Sequence, residues 1–206
     1  MTISGHIYGV VLNDSVELNE LAPQFGEKPY AAPPVAPVVY MKPRTAIARG
    51  PVRVAKDEEL VASPTLALLF ARDASRCSAA EALDCVGGMA LAIDFALPQP
   101  DYYRPAVSRK NRDGFLALGD WAAPAPVENL STLIDGKAAH SWGMDRLKRD
   151  PATLIADLSV FMTLRAGDVL LIGLPGDAPH VHAGQSLRVE SAALPAVEAR
   201  LEEVQS

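Results

Sequence analysis

The chain has 206 residues, of which 49% are hydrophobic and 21% are charged, and its formal net charge is −6. These values are typical of a globular protein with a sizeable core, and we expect a single domain over residues 1–206. The acidic balance argues against a nucleic-acid-binding protein, which would need a basic face. No apolar stretch is long enough to cross a bilayer and no secretory signal is evident, so we expect a soluble, cytoplasmic protein.

The N-terminal part of the chain alternates short apolar runs with turn signals. Residues 7–12 predict a strand, and Asn13 or Asp14 can cap the helix that follows it. Four prolines between residues 29 and 37 predict an extended surface connection rather than a helix or a domain linker. The next strands are predicted at residues 38–41, 51–54 and 66–70.

The middle of the chain contains clear signals for the start and the end of a helix. Ser78 and Glu81 have the spacing of a capping box and predict the start of a helix, which the pair Gly87-Gly88 is predicted to end. Residues 89–95 then predict a buried strand. Cys77 and Cys85 lie eight residues apart beside this helix, and we expect reduced, partly buried thiols.

The C-terminal part predicts a hairpin, one clear helix and two more strands. Asp135-Gly136 is a hairpin signal, and Asp150 with Pro151 predicts a helix start. An apolar stripe on that helix is predicted from Leu154, Leu158 and Phe161, and strands are predicted at residues 168–172 and 186–194. Strands outnumber helices and most connections are too short for helical crossovers. We therefore expect a mixed, largely antiparallel α+β fold.

Two charged residues are candidates for a functional site. Asp94 ends an apolar strand, where a carboxylate is costly unless it is paired, hydrogen-bonded or bound to a metal. Taken alone, it fits a satisfied strand-end residue as well as a site residue. Lys110 lies in a basic cluster that fits either a solvated loop or an anion-binding site. His180 and His182 share one face of a strand, but two ligands are weak evidence for a metal site.

Five segments in combination resemble the fumarylacetoacetate hydrolase superfamily. These are residues 35–44, 60–72, 88–94, 109–115 and 166–175. The resemblance implies a β-rich roll with a few peripheral helices. It also implies a divalent metal such as Mg²⁺, held on oxygen ligands by a Glu-x-Glu pair and a later Asp. Asp94 matches that Asp, but Ser63 and Thr65 stand where the two Glu residues would be. We therefore expect a site that binds metal poorly or not at all.

The same resemblance assigns roles to several other residues. It places a catalytic, substrate-facing lysine at Lys110 beside the site carboxylate Asp94, and a substrate-binding lysine at Lys42 near the mouth of the pocket. Arg104 could bind a substrate carboxylate through two hydrogen bonds. The family has a Gly-Thr-Pro turn that matches residues 173–175, and its threonine usually contacts the substrate. Leu174 replaces that threonine here, so the pocket has lost this group as well as the two glutamates.

Residues 29–34, 95–98, 103–105 and 110–115 narrow the resemblance within the superfamily. Together they resemble the N-terminal half, or N-terminal subunit, of the bifunctional isomerase/decarboxylases of 4-hydroxyphenylacetate degradation. That resemblance implies isomerisation of 5-carboxymethyl-2-hydroxymuconate and decarboxylation of 5-oxopent-3-ene-1,2,5-tricarboxylate, both small anionic substrates. It also implies a homodimer or a hetero-oligomer with a metal-bearing paralogue. Two alternatives stay open: a catalytically silent partner subunit, and a metal-dependent acylpyruvate or fumarylacetoacetate-type hydrolase. Ser63 and Thr65 weigh against the hydrolase.

Overall fold

The computed structural model describes residues 2–28, 32–99 and 107–204. Within these residues the main sheet has the strand order β2-β1-β9-β4-β5-β6, and β10 pairs with one end of β4. These strands are β1 (Ile7–Val11), β2 (Val38–Lys42), β4 (Leu60–Phe70), β5 (Val86–Ala96), β6 (Leu116–Leu118), β9 (Val169–Leu171) and β10 (His180–Val181).

A second sheet packs against the first. Its strand order is β3-β12-β11-β7-β8. The strands are β3 (Val52–Val54), β7 (Asn129–Ile134), β8 (Lys137–Gly143), β11 (Ser186–Glu190) and β12 (Val197–Glu203). The described part of the chain also contains the helices α1 (Ser15–Leu21), α2 (Ala79–Ala82), α3 (Val107–Lys110) and α4 (Pro151–Ser159).

The main sheet curls until its first and last strands, β2 and β6, approach each other. The amide of Ala48, which follows β2, donates to the carbonyl of Leu116 in β6 at 2.8 Å. The ammonium of Lys42 at the end of β2 donates to the carbonyl of Phe115 at 2.9 Å. Because these contacts join the two ends of the sheet, the sheet forms a roll with an inner and an outer face.

Each face of the roll has its own core. Alternation along the strands points one set of side chains inward. This inner core consists of Ile7, Ala46, Ala67, Leu69, Ala92, Leu116, Val169 and Leu171. The outer face buries a larger core, to which α4 contributes Leu154 and Leu158 and the second sheet contributes Trp142. Several inner residues are alanines, and small side chains suit the narrow interior of a tightly curled sheet.

The predicted α+β class with mainly antiparallel strands is confirmed. Among the pairings of the described strands, β1 with β9 and β3 with β12 are parallel, and the other named pairs are antiparallel. In the residues that the structure describes, no helix is both long and apolar enough to cross a membrane.

The predicted caps and the predicted hairpin are also confirmed. Asp14 accepts from the amide of Val16 at 3.0 Å, and Asp150 accepts from the amide of Thr153 at 2.7 Å. Ser78 forms the capping box at the start of α2. Asp135 and Gly136 both have positive φ, 50° and 75°, as a tight hairpin turn with the right-handed twist of the sheet requires.

The role predicted for Gly87-Gly88 is wrong. The α2 helix ends before them, and both glycines lie inside β5. A Cβ atom on Gly87 would come within 2.4 Å of the Ala71 side chain. The glycine therefore allows a close approach of β5 to the end of β4, which a sequence pattern cannot distinguish from a helix stop.

Two other local predictions need correction. Phe161 does not extend the stripe of α4, because the helix ends at Ser159 and the ring is 66% exposed. The strand predicted at residues 66–70 is longer, running from Leu60, and it contains Pro64. Pro64 lies between the residues that pair with β10 and those that pair with β9, where a missing N–H costs no ladder hydrogen bond.

Candidate functional site

Asp94 points into the roll from β5, in register with Ser63 on β4 and with Leu116 on β6. Thr65 lies two residues beyond Ser63 and therefore faces the same interior. All three polar side chains are buried. The structure thus brings together the three positions that the sequence associates with the metal ligands of the superfamily.

In the described part of the chain, three side chains hold the carboxylate of Asp94. The ammonium nitrogens of Lys42 and Lys110 lie 3.2 Å and 3.1 Å from Oδ1. The hydroxyl of Tyr40 donates to Oδ2 at 2.5 Å. A buried carboxylate needs such partners, because leaving it unpaired in a low-dielectric interior is costly.

Lys42 is enclosed beneath this carboxylate. Its ammonium donates to the carbonyl oxygens of Phe95, Lys110 and Phe115 at 3.2, 2.5 and 2.9 Å. Its side chain exposes no surface. Burial lowers the pKa of the Lys42 ammonium to about 8, and the charge of Asp94 opposes part of that shift. The resemblance places Lys42 near the mouth of a pocket. In the structure the residue borders a surface cavity, but its ammonium group is enclosed.

Lys110 is the member of this charged group that reaches the surface. Its side chain is 13% exposed, whereas those of Lys42 and Asp94 expose none. Its ammonium lies 4.4 Å from the centre of the Tyr40 ring, within cation–π range. A solute entering from outside would therefore meet this lysine before it met the carboxylate.

Tyr40 is a site residue that the sequence analysis missed. It lies two residues before Lys42 on β2, so both side chains point into the roll. Gly9 pairs with Tyr40 across the strands. A Cβ atom on Gly9 would lie 2.1 Å from the Tyr40 ring. The period-two spacing of Tyr40 and Lys42 was the signal that could have pointed to this residue.

The turn that follows β9 adjoins the same interior. The hydroxyl of Thr65 donates to the carbonyl of Gly173 at 2.7 Å. In the Gly173-Leu174-Pro175 turn, the Leu174 side chain is buried and offers no hydrogen-bonding group. This turn is the one that the sequence analysis matched to the Gly-Thr-Pro element of the superfamily.

A polar network supports this turn from behind. Arg146 donates to buried Asp14 and to Asp177, and the amide of Gly176 donates to Asp14 at 3.1 Å. Hydrogen bonds from Arg146 lower the pKa of Asp177 to about 2. His140 also contacts Asp177, at 3.2 Å. The network links the start of α1, the segment that follows β8 and the turn, and it therefore holds the turn in position beside Thr65.

The residues present do not fit the divalent metal that the superfamily implies. Ser63 and Thr65 supply neutral hydroxyls, and the Thr65 hydroxyl is committed to Gly173. Both oxygens of Asp94 already accept from cationic or hydroxyl donors. In the part of the chain that the structure describes, no group of three His, Cys, Asp or Glu side chains could hold a metal ion.

The remaining candidates lie away from this cluster. Arg104 lies outside the described residues. His180 and His182 are half exposed and approach Glu59 at 2.8 and 3.6 Å. Cys77 and Cys85 are free, partly buried thiols, as expected.

A surface cavity of about 520 Å³ adjoins the buried cluster. Met41, Lys42, Arg44, Val107 and Asn111 contribute to its lining. Larger cavities, of about 680 and 760 Å³, lie along the second sheet, where Arg188 and its neighbours form exposed ion pairs. We place the candidate site at Asp94, because buried, mutually paired charges mark function more specifically than cavity size does.

Comparison with known proteins decides the family. The profile of the fumarylacetoacetate (FAA) hydrolase C-terminal domain matches residues 6–202. The chain belongs to the fumarylacetoacetate hydrolase family. Its sequence is also 36% identical over 200 residues to the 4-hydroxyphenylacetate degradation bifunctional isomerase/decarboxylase of Salmonella dublin. That alignment covers 95% of this chain and 47% of the relative, so the chain spans about half the length of the curated relatives it matches.

Solved structures of this family share the fold. One is 5-carboxymethyl-2-hydroxymuconate delta-isomerase from Mycobacterium smegmatis, with a TM-score of 0.81 at 20% identity, covering 100% of this chain and 81% of that one. Another is fumarylpyruvate hydrolase from Pseudomonas aeruginosa in complex with Mn²⁺ and pyruvate, with a TM-score of 0.81 at 19% identity, covering 98% and 95% of the two chains. At these identities the likeness establishes the fumarylacetoacetate hydrolase fold and leaves the activity open.

Proposed function

We propose that this chain is the isomerase-type subunit of a 4-hydroxyphenylacetate-degrading isomerase/decarboxylase. The observation that carries the proposal is the buried carboxylate of Asp94 with the partly exposed ammonium of Lys110 at 3.1 Å. A 2-hydroxymuconate isomerisation moves a proton between an enol oxygen and a distant carbon. It needs a proton-transfer group and a cation beside the dienolate. In this cluster the candidate for proton transfer is the Asp94 carboxylate, and the candidate cation is the Lys110 ammonium. The isomerase/decarboxylase relatives support this reading.

Lys110 and Asp94 have different roles in this proposal. The ammonium of Lys110 pairs with an anionic oxygen of the substrate, because it is the cluster's exposed cation. Asp94 is the site carboxylate, and Tyr40 and Lys42 fix its orientation through both oxygens. Lys42 would act on the substrate only through Asp94, since its own ammonium is enclosed by carbonyl groups.

We expect decarboxylation to be the weaker reaction in this chain. Loss of CO₂ from a 2-oxo acid needs a strong electron sink, which a chelating divalent ion supplies in general chemistry. One ammonium at Lys110 offers a single charge and no chelation. A proton shift through a dienolate makes a smaller demand, so the residues present favour isomerisation.

The experiment is an isomerisation assay on 5-carboxymethyl-2-hydroxymuconate with purified protein in the presence of a chelator. Turnover in chelator, with a raised KM in the Lys110→Met variant, is the expected result. Equal rates of isomerisation and decarboxylation in metal-free protein would contradict the assigned preference. No turnover under any condition, with or without a partner, would overturn the enzymatic proposal.

A second candidate function is a catalytically silent partner subunit. It is favoured by one observation: Ser63 and Thr65 stand where the Glu-x-Glu pair of the family would lie, so this chain lacks the carboxylates of the metal site. In this case turnover would appear only after addition of a paralogue that bears the Glu-x-Glu pair, and Lys110→Met in this chain would leave that turnover unchanged. The assay above, run with and without such a paralogue, separates the two candidates.

A further inference from the structure

Charged groups of both signs meet at Asp94. Two ammonium groups, from Lys42 and Lys110, lie within 3.2 Å of one carboxylate oxygen. Among the described residues, two positive charges therefore face one negative charge, and this group of three side chains carries a net positive charge. Two glutamates at positions 63 and 65 would have made the same interior net negative.

The ammonium of Lys110 also repels a cation at Asp94, and no glutamate at position 63 or 65 offsets that repulsion. A divalent ion on Asp94 Oδ1 would have to lie close to the Lys110 ammonium, which is itself 3.1 Å from that oxygen. Like charges at such separations in a buried setting are strongly unfavourable. The hydroxyls of Ser63 and Thr65 carry no negative charge to offset that repulsion.

An anion meets the opposite situation. A carboxylate or enolate oxygen beside Lys110 would add negative charge that offsets the excess positive charge of the cluster. Lys110 has exposed surface for such a contact, and its ammonium has three donors. The Asp94 carboxylate, saturated by Tyr40 and the two lysines, repels the incoming anion less than a free carboxylate would.

We propose that this site binds an anion where a metal site would bind a cation. A small 2-oxo or enol carboxylate binds directly to Lys110, without a divalent metal. This inference rests on the proposed function and names how that site takes its substrate. The ammonium of Lys110 supplies the positive charge that a divalent ion would supply, and it stabilises one negative oxygen rather than chelating two.

The test uses Mn²⁺ and oxalate as probes on the full chain. Free Mn²⁺ is followed by its electron paramagnetic resonance signal, and oxalate binding is measured by calorimetry in chelator. Wild-type protein is expected to leave the Mn²⁺ signal unchanged and to bind oxalate, with at least tenfold weaker oxalate binding in Lys110→Met. One equivalent of bound Mn²⁺, oxalate binding that requires Mn²⁺, or no oxalate binding in either condition would overturn the proposal.

A matched pair of double variants sharpens the test. Ser63→Glu with Thr65→Glu should create Mn²⁺ binding and abolish metal-free oxalate binding, whereas Ser63→Gln with Thr65→Gln should not bind Mn²⁺. Mn²⁺ binding by the Gln pair would contradict the charge argument. If the Glu pair does not fold, the wild-type and Lys110→Met results decide. Oxalate binding without isomerase turnover would uphold this inference while the proposed function failed.

Discussion

The Nζ atom of Lys42 and the Oδ1 atom of Asp94 lie 3.2 Å apart, and neither side chain exposes any surface. The two residues are on strands at opposite sides of the curled sheet, so the pair closes the roll as well as orienting the carboxylate. Removing one partner of a buried pair costs more than the pair itself contributes, because the other charge is left without compensation. Substitutions in this cluster are therefore expected to lower the free energy of unfolding as well as the activity.

The first prediction concerns Asp94→Ala. The change leaves the ammonium groups of Lys42 and Lys110 without their shared counter-charge, and we expect a loss of about 3–5 kcal/mol in the free energy of unfolding. Isomerase activity should fall with it. Urea denaturation measures the stability, and Asp84→Ala is the matched control because Asp84 is exposed. A stability within about 0.5 kcal/mol of wild type would show that the pair is not needed for the fold.

The second prediction concerns Lys110→Met. Loss of a charged hydrogen bond to an anionic substrate, about 1.5–3 kcal/mol, should raise KM by roughly 10- to 150-fold. Arg109→Met is the control, since it removes the neighbouring charge of α3, whose guanidinium donates to the carbonyl of Pro98 instead. Lys110→Arg should recover part of the loss. Steady-state kinetics that match wild type in Lys110→Met would exclude Lys110 from the substrate site.

The third prediction concerns the contact between Gly9 and Tyr40. In Gly9→Ala the new methyl group would lie 2.1 Å from the ring, so the ring must move and its hydroxyl must leave Asp94. We expect Gly9→Ala to reduce activity at least as much as Tyr40→Phe, which removes only the hydroxyl. In the Tyr40→Phe background, Gly9→Ala should have a smaller further effect on activity. Fully additive effects in this double-mutant cycle would mean that Gly9 acts independently of the tyrosine.

The fourth prediction concerns acid stability. Because the Arg146 guanidinium lowers the pKa of Asp177 to about 2, this carboxylate stabilises the fold above pH 4. The contribution is lost as the pH falls from about 4 through 2. Asp177 is half exposed, so solvent screening limits the contribution to about 1 kcal/mol. Asp177→Asn should therefore reduce the difference between the unfolding free energies at pH 5 and pH 2.5. An unchanged difference would place the acid sensitivity at other carboxylates.

The helix caps and the hairpin could be predicted because each depends on neighbours along the chain. Ser78 and Glu81 are three residues apart, and Asp135 and Gly136 are adjacent. Gly87 was misinterpreted because a glycine is needed there for a close contact with Ala71, which follows the neighbouring strand β4. Phe161 was misplaced because periodicity does not report where a helix ends.

In the candidate site, too, some residues could be predicted from the sequence and others could not. Asp94, Lys110, Ser63 and Thr65 were found because short motifs in the sequence match a family. Tyr40 was missed, although alternation places it on the same face as Lys42. Its contact with Asp94 spans 54 residues of sequence, and no local pattern encodes that pairing.

The sequence by itself determined the family, the mainly antiparallel class of the fold, and the absence of glutamates at positions 63 and 65. These properties depend on residue identities and on short periodic patterns. Only the tertiary structure decided that Lys42 is enclosed, that Tyr40 holds the second oxygen of Asp94, and that the cluster carries a net positive charge. The reason is physical: these contacts form when the main sheet curls and brings β2 against β5 and β6, and that closure joins residues separated by more than fifty positions.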